Sequence, residues 1–383
     1  MDKPTVQDIF HRFYPAYLDQ YSPSPVQAKV AHNIMNCKTG AYGANVCVCE
    51  DCGFVQIHYN SCRNRCCPMC QAVPKGMWMD ARREDVLDAP YFHLVFTVPD
   101  ILNPVIYSNQ RLLYDALYHA ASSTISELTA DPKHLGAKVG YICILHTWGS
   151  EMNFHPHIHT ILLGGGLASN NQWKDNGENF FLPIRVISKM FRGKYLEELK
   201  RLWEEDKLVF HGTAEKFRNH YTFKELLDSC YGMDWIPHCK KTFNGAQTVI
   251  KYLGKYTHRI AVSNHRIVRM DDDTVTFLVK DYRNEGQWKE LTISGVEFVR
   301  RFLMHVPPRR FVRIRHYGLL CSRTKSQKLT LCRNLLGCKK YLSKLRDMEM
   351  PEILEHLYGI KVCVCKACGG HLGKPQMRMP LRC

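Results

Sequence analysis

Long apolar runs are missing from this 383-residue sequence. No window approaches the ~18 uninterrupted apolar residues of a membrane helix. The opening Met-Asp-Lys-Pro-Thr lacks the charged-then-apolar order of an export signal. A cytoplasmic, nucleoid-associated protein is therefore expected, with no membrane partner. No glycine-rich loop of the phosphate-cradling type occurs, so no nucleotide cofactor is expected. Internal repeats and low-complexity tracts are absent, which argues against a solenoid or a largely disordered chain. Acidic residues are scarce: 36 Asp and Glu stand against 52 Lys and Arg, a net charge of +16. The deficit is local. From Arg300 to Cys383, 19 basic residues face 4 acidic ones, so this stretch carries +15 of the total. Such a segment suits a phosphate backbone or another anionic surface.

What is abundant is cysteine, with 18 residues, and 45% hydrophobic residues supply a folded core. Without a secretory route, crowded cysteines read as metal ligands rather than disulfides. The length suggests two or three domains. Residues 1–88 combine two short amphipathic helices (Val6–Tyr21 and Val26–Met35) with eight cysteines between 37 and 70. Residues 89–265 mix strands and helices. Phe92–Val98 is β-rich, Val105–Leu128 is helical, and Val139–Trp148 with His155–Leu163 form an antiparallel pair. Gly164–Gly177 reads as a flexible loop within an insertion over about 168–245. Residues 266–383 continue a β-meander that begins near Ile260, add a short helix Glu297–Met304 and end in the basic region. The fold class is α+β.

Cys49-x2-Cys52 and Cys67-x2-Cys70, fourteen residues apart, supply four thiolates suited to tetrahedral zinc. Little apolar sequence surrounds them, so metal must replace a core. Cys37, Cys47, Cys62 and Cys66, with His32 and His58, are left for a second site or for small buried positions. Cys363, Cys365 and Cys368, with Cys383 or His371, form a third group at the C-terminal end.

In His155-Pro-His157-Ile-His159, residues two apart on a strand face the same way, so His157 and His159 present two imidazoles to one point. Two neutral imidazoles on a rigid strand offer part of a divalent-metal site with open positions. His146 on the neighbouring strand is the candidate third ligand, with Glu151 in reserve. Tyr252 and Tyr256 are four apart on a helical pattern, so their hydroxyls reach one region. Lys251, Lys255 and Arg259 crowd the same segment, and Gly254 leaves room for a substrate backbone.

Taken together, Tyr59-Asn-Ser-Cys-Arg63-Asn-Arg65-Cys-Cys-Pro-Met-Cys-Gln71, Phe96-Thr-Val-Pro99, His146-Thr-Trp-Gly with His155–His159, Tyr252-x3-Tyr256 and Phe311–Gly318 resemble, in the same order, the motifs of insertion sequence 91 family transposases. These are two-tyrosine HUH enzymes with an N-terminal zinc-binding domain. The resemblance runs from about Cys37 to about Gly318. Cys66 stands where the family more often has histidine, and Asn45 where histidine is common.

The resemblance implies a central antiparallel sheet flanked by helices in residues 89–265. It also implies single-stranded DNA cleavage through 5′-phosphotyrosine intermediates on Tyr252 and Tyr256. A Mg²⁺ or Mn²⁺ at His157, His159 and His146 would assist, and structural Zn²⁺ would lie in the cysteine domain. Arg63, Arg65, Lys255, Arg313 and Arg315 are the expected DNA contacts. Rival readings are a replication initiator or relaxase of the same chemistry, and a non-catalytic zinc-ribbon DNA-binding protein.

Overall fold

The structure, a computed structural model, describes residues 3–176, 182–235, 237–243, 248–249, 254, 261–281 and 286–378. Helix α1 (Val6–Gln20) starts at a capping box in which the Thr5 hydroxyl accepts from the Asp8 amide and the Asp8 carboxylate accepts from the Thr5 amide. Ser24 and Gln27 repeat the device at α2 (Pro25–Met35). A hairpin of β1 (Ala44–Val48) and β2 (Val55–Tyr59) leads to α3 (Ala72–Arg83) and β3 (Tyr91–Thr97). Next come α4 (Asn103–Ser108), α5 (Gln110–Ala130), the long pair β4 (Lys138–Trp148) and β5 (Phe154–Leu167), and the short β6 (Trp173–Asp175). Helices α6 (Ile184–Glu204) and α7 (His220–Gly232) precede β7 (His238–Phe243). The meander of β8 (Ile267–Met270), β9 (Thr274–Asp281) and β10 (Gln287–Ser294) follows, then α8 (Gly295–Met304), β11 (Ile314–Gly318), α9 (Lys325–Leu336), α10 (Met350–Tyr358) and β12 (Gln376–Arg378). No helix among the described residues is long and apolar enough to cross a membrane.

The central sheet is antiparallel in the order β11-β4-β5-β3-β7, with β6 added to β5. Alternation along each strand divides its side chains between two faces. Phe92, Leu94, Phe96, Tyr141, Cys143, Leu145, Ile158 and Leu162 point one way and are buried with residues of α5, α6 and α7. Tyr91, Ile142, Ile144, Ile161 and Leu163 point the other way and meet Leu87, Val249, Leu329 and Cys332. The stretch expected as an insertion is thus part of the main core, through Ile187, Phe191, Tyr195, Phe223 and Leu227. The loop expected at Gly164–Gly177 is corrected too. Strand β5 runs on to Leu167 and pairs with β6. The glycines permit this, because a Cβ on Gly165 would stand 2.4 Å from the Trp173 ring and one on Gly166 2.5 Å from the Lys138 carbonyl oxygen.

The boundaries drawn at 88 and 265 do not hold in the packing. Val6, Ile9, Phe10 and Phe13 of α1 bury their apolar face against Phe277 of β9 and Phe298 and Phe302 of α8. The Phe10 and Phe302 rings meet edge to face at 5.3 Å. An isolated two-helix segment could not hide that face, and the meander is too small to bury both of its own sides. Strand β11, placed in the third unit by sequence, is the edge of the central sheet, since Ile314–Gly318 pair with Ile144–Gly140.

His305 joins the second core to the central sheet. Its Nδ1 accepts from the Thr147 hydroxyl at 3.1 Å and its Nε2 donates to the Met152 carbonyl at 3.0 Å. Burial pushes its pKa down to about 4. The unfolded chain, with an ordinary histidine pKa of about 6.5, takes up this proton first, so the associated stability is present above that value and is lost as pH falls toward 4. Between pH 7 and pH 5 this one group removes roughly 2 kcal/mol. Denaturant titrations of wild type and His305→Gln at both pH values should show a steeper loss for wild type. Parallel losses would contradict the assignment.

Candidate metal centres

Strand register builds the first centre. His146 of β4 lies directly opposite His157 of β5, and His159 follows two residues along the same face. Their candidate ligand nitrogens all lie within 4.8 Å of one another, as the sequence spacing suggests. Each ring is nine-tenths or more buried. His157 Nδ1 donates to the His155 carbonyl at 2.7 Å, which leaves its Nε2 as a lone pair. That lone pair faces His159 Nε2 at 3.0 Å.

His159 Nδ1 in turn meets Nε2 of His93, on β3, at 2.9 Å. A cation at this point would select the tautomer in which His159 donates from Nδ1 to His93 and turns its Nε2 lone pair, with that of His157, toward the ion. The 3.0 Å gap is the edge of an octahedron with ligand bonds of about 2.1 Å. Burial lowers the pKa of His157 and His93 to about 4 and that of His159 well below the usual range, so the rings are neutral and ready to ligate at pH 7. His146 is fixed by stacking on Trp148, with centroids 4.4 Å apart. The three-nitrogen donor set fits a divalent cation and leaves coordination positions open.

His93 was not singled out by sequence reasoning. A histidine in the apolar run Tyr91–Thr97 reads as core, and its role emerges only from register, which pairs its neighbour Val95 with His159. Tyr252, Tyr256 and Lys255 lie outside the described residues. Before them, Val249 packs into the cluster on the histidine face, and between them a Cβ on Gly254 would stand 2.3 Å from Met79 Sδ. Gly254 therefore lies close against the Met79 side chain of α3.

The cysteines sort differently from the expected set. Cys49 and Cys52 converge with Cys365 and Cys368, whereas Cys67 and Cys70 converge with Cys37 and Cys62. The reason is the hairpin between the two pairs. Cys49 and Cys52 occupy its tip, while Cys37 and Cys62 flank its base, about 17 Å away for a five-residue strand. One ion cannot span that length. Cys66 joins neither group. It is buried, its thiol pushed up to about 11 by burial, with the Arg313 and Arg65 charges opposing that shift.

Two of the expected DNA contacts also bond within the protein. Arg65 donates to the carbonyls of Phe311 (2.5 Å) and Pro308 (3.3 Å). Arg315 shares the face of Cys143, away from the histidines, where it pairs with Asp115 and lies 3.9 Å over the Tyr118 ring. Arg313 is buried with its guanidinium 5.4 Å over Trp148, the ring on which His146 stacks. Arg63 is exposed in a left-handed turn at φ 54°.

Comparison with known proteins bears on this arrangement. Residues 9–98 match a family profile described as "Transposase zinc-binding domain", and residues 140–328 match one described as "Putative transposase". A Sinorhizobium fredii protein, "Putative transposase y4qJ", is 40% identical over 369 residues, covering 95% of this chain and 93% of that one. The transposase for insertion sequence element IS801 of Pseudomonas savastanoi pv. phaseolicola is 30% identical over 309 residues, covering 79% and 72% respectively. Among solved structures, the metal-bound conjugative relaxase TrwC with oriT DNA overlaps only slightly (14% identity, TM-score 0.25, 43% of this chain and 69% of that one). The cysteine groups support structural zinc in the N-terminal domain. With two profiles in register and relatives alike along most of its length, the chain belongs to the insertion sequence 91 family of transposases.

Proposed function

We propose that the protein is a metal-dependent HUH endonuclease and strand transferase that cleaves and rejoins single-stranded DNA in rolling-circle transposition. The observation that carries this reading is the convergence of His146, His157 and His159 on one buried sheet face. Those three residues would hold Mg²⁺ or Mn²⁺, and such an ion supplies charge stabilisation at the scissile phosphate. The cysteine quartet Cys37, Cys62, Cys67 and Cys70 would hold zinc beside the apolar core that α1 and α2 share with α8, so metal adds to that core where the sequence had suggested it replaces one.

The chain's own residues do the rest. His93 holds His159 through its Nδ1 and so fixes which nitrogen faces the site. Trp148 stacks on His146, and Arg313 lies over the Trp148 ring. The phenol oxygen of Tyr252 or Tyr256 attacks phosphorus as its proton leaves to a base. The P–O3′ bond breaks, and the 3′ oxygen takes up a proton and departs as a free hydroxyl. The phosphotyrosine ester conserves the bond, so rejoining requires no nucleotide. Two tyrosines permit two covalent ends to be held at once.

Incubation with a labelled single-stranded end and Mg²⁺, followed by a denaturing gel, tests the reading: wild type should form a covalent adduct. His157→Ala and His159→Ala should lose it by at least about 100-fold while retaining DNA binding, in line with the loss of a charge-stabilising group. Unchanged cleavage by the double mutant would refute the metal site.

His93→Leu should weaken metal affinity by about 10–100-fold, with cleavage recovered at high Mn²⁺. An unaltered metal titration would show that His93 only fills space. Tyr252→Phe and Tyr256→Phe should each abolish transposition in cells while at least one retains the adduct on a donor end. Normal transposition by either rejects the two-nucleophile model.

A further inference from the structure

The zinc-binding profile ends at residue 98, yet a second thiolate quartet draws half its members from far beyond it. Cys49 Sγ lies 3.5 Å from Cys368 Sγ, across 319 residues of sequence, and Cys52 Sγ lies 3.8 Å from Cys365 Sγ. A tetrahedron with Zn–S bonds of about 2.3 Å has edges of about 3.8 Å. The sulfurs are not bonded to one another, and all four residues are free cysteines.

The two halves are built alike. Each is Cys-x2-Cys-Gly: Cys49–Gly53 and Cys365–Gly369. In each, the glycine has a left-handed φ, +70° at Gly53 and +78° at Gly369. In each, its amide donates to the carbonyl of the first cysteine at 3.0 Å. The first cysteine's amide then donates to the residue five places on, to Phe54 at 2.9 Å and to Gly370 at 2.8 Å. In the C-terminal half, the Ala367 and Gly370 amides point at Cys365 and Cys368 Sγ, each at 3.4 Å, which stabilises charge on sulfur. The Cys67-x2-Cys70 knuckle of the first quartet lacks this design, since Cys70 is followed by Gln71.

The backbone closes around the same point. Strand β12 pairs with β1, Glu50 donates to His371 and Gly373 donates to Val48. Apolar support is minimal: among the described residues the local cluster holds only Cys47, Cys49, Cys365 and Leu372. Four residues, two of them proposed ligands, cannot offset the ordering of a segment of this length.

We propose that Cys49, Cys52, Cys365 and Cys368 form a second zinc site, a clasp that fastens the C-terminal segment to the N-terminal hairpin and completes the sheet β12-β1-β2. This site is independent of the nuclease reading. It makes residues 363–378 part of the zinc-binding domain rather than an appendage of the basic tail.

The test is zinc content per full-length chain after passage over a chelating resin. Wild type should hold two ions. Cys49→Ser/Cys52→Ser and Cys365→Ser/Cys368→Ser should each hold one, and the quadruple variant should also hold one, because both pairs serve the same ion. Two ions retained by the C-terminal double mutant, none in the quadruple variant, or iron in place of zinc would overturn the proposal.

Alkylation of wild type supplies a readout that does not depend on how the variants fold. Cys52 and Cys368 are exposed, as are Cys321 and Cys363. Cys321 and Cys363 should react at once. Cys52 and Cys368 should be protected until a strong chelator releases zinc, and then react together as trypsin gains access to Lys361 and Lys366. Immediate alkylation of Cys52 and Cys368 in the two-zinc protein would contradict the clasp.

Discussion

Three imidazoles can meet at one point only because the antiparallel register between β4 and β5 is fixed. A slip of one residue would turn His157 and His159 to the helical side and Ile158 to the site. That register is held by the apolar residues on both faces, and the long helices α5 and α6 bury the far side completely. Burial then acts on the chemistry, since it keeps the His157 and His159 rings neutral at the cost of desolvating them. The same packing therefore positions the donors and sets their protonation.

Much of this was legible in the sequence because it depends on local periodicity. The i, i+2 spacing of His157 and His159 and the adjacent strand bearing His146 follow from strand geometry alone. The helices at Val6–Gln20 and Pro25–Met35 follow from caps and apolar spacing. What escaped depends on contacts between distant segments. An amphipathic α1 announces an apolar face but not its partner, which lies near residues 277–302. His93 looks like a core residue until register brings it to His159.

The cysteine pairing shows the same limit with a usable clue. Spacing alone favoured joining Cys49 and Cys52 to Cys67 and Cys70, but the hairpin between them holds the pairs apart. The glycine after Cys52 and the glycine after Cys368 mark matching knuckles, and that match is visible in the sequence. Net charge is silent on direction in a different way. Arg315 lies in the basic region, yet strand alternation turns it to the helical face and Asp115 neutralises it. Arg65 is likewise used to tie the zinc domain to the Pro308–Phe311 segment. A charge count locates basic residues but does not say which way they face.

The proposed function depends most directly on His146, His157 and His159 together holding one divalent cation. Pulsed electron paramagnetic resonance of Mn²⁺ bound to the full-length, zinc-replete protein reads this directly, because imidazole nitrogens couple to the bound ion. The account expects couplings from three histidine nitrogens, reduced to two when any one of the three residues is replaced. Mn²⁺ that shows no nitrogen coupling, or couplings indifferent to all three replacements, would contradict it.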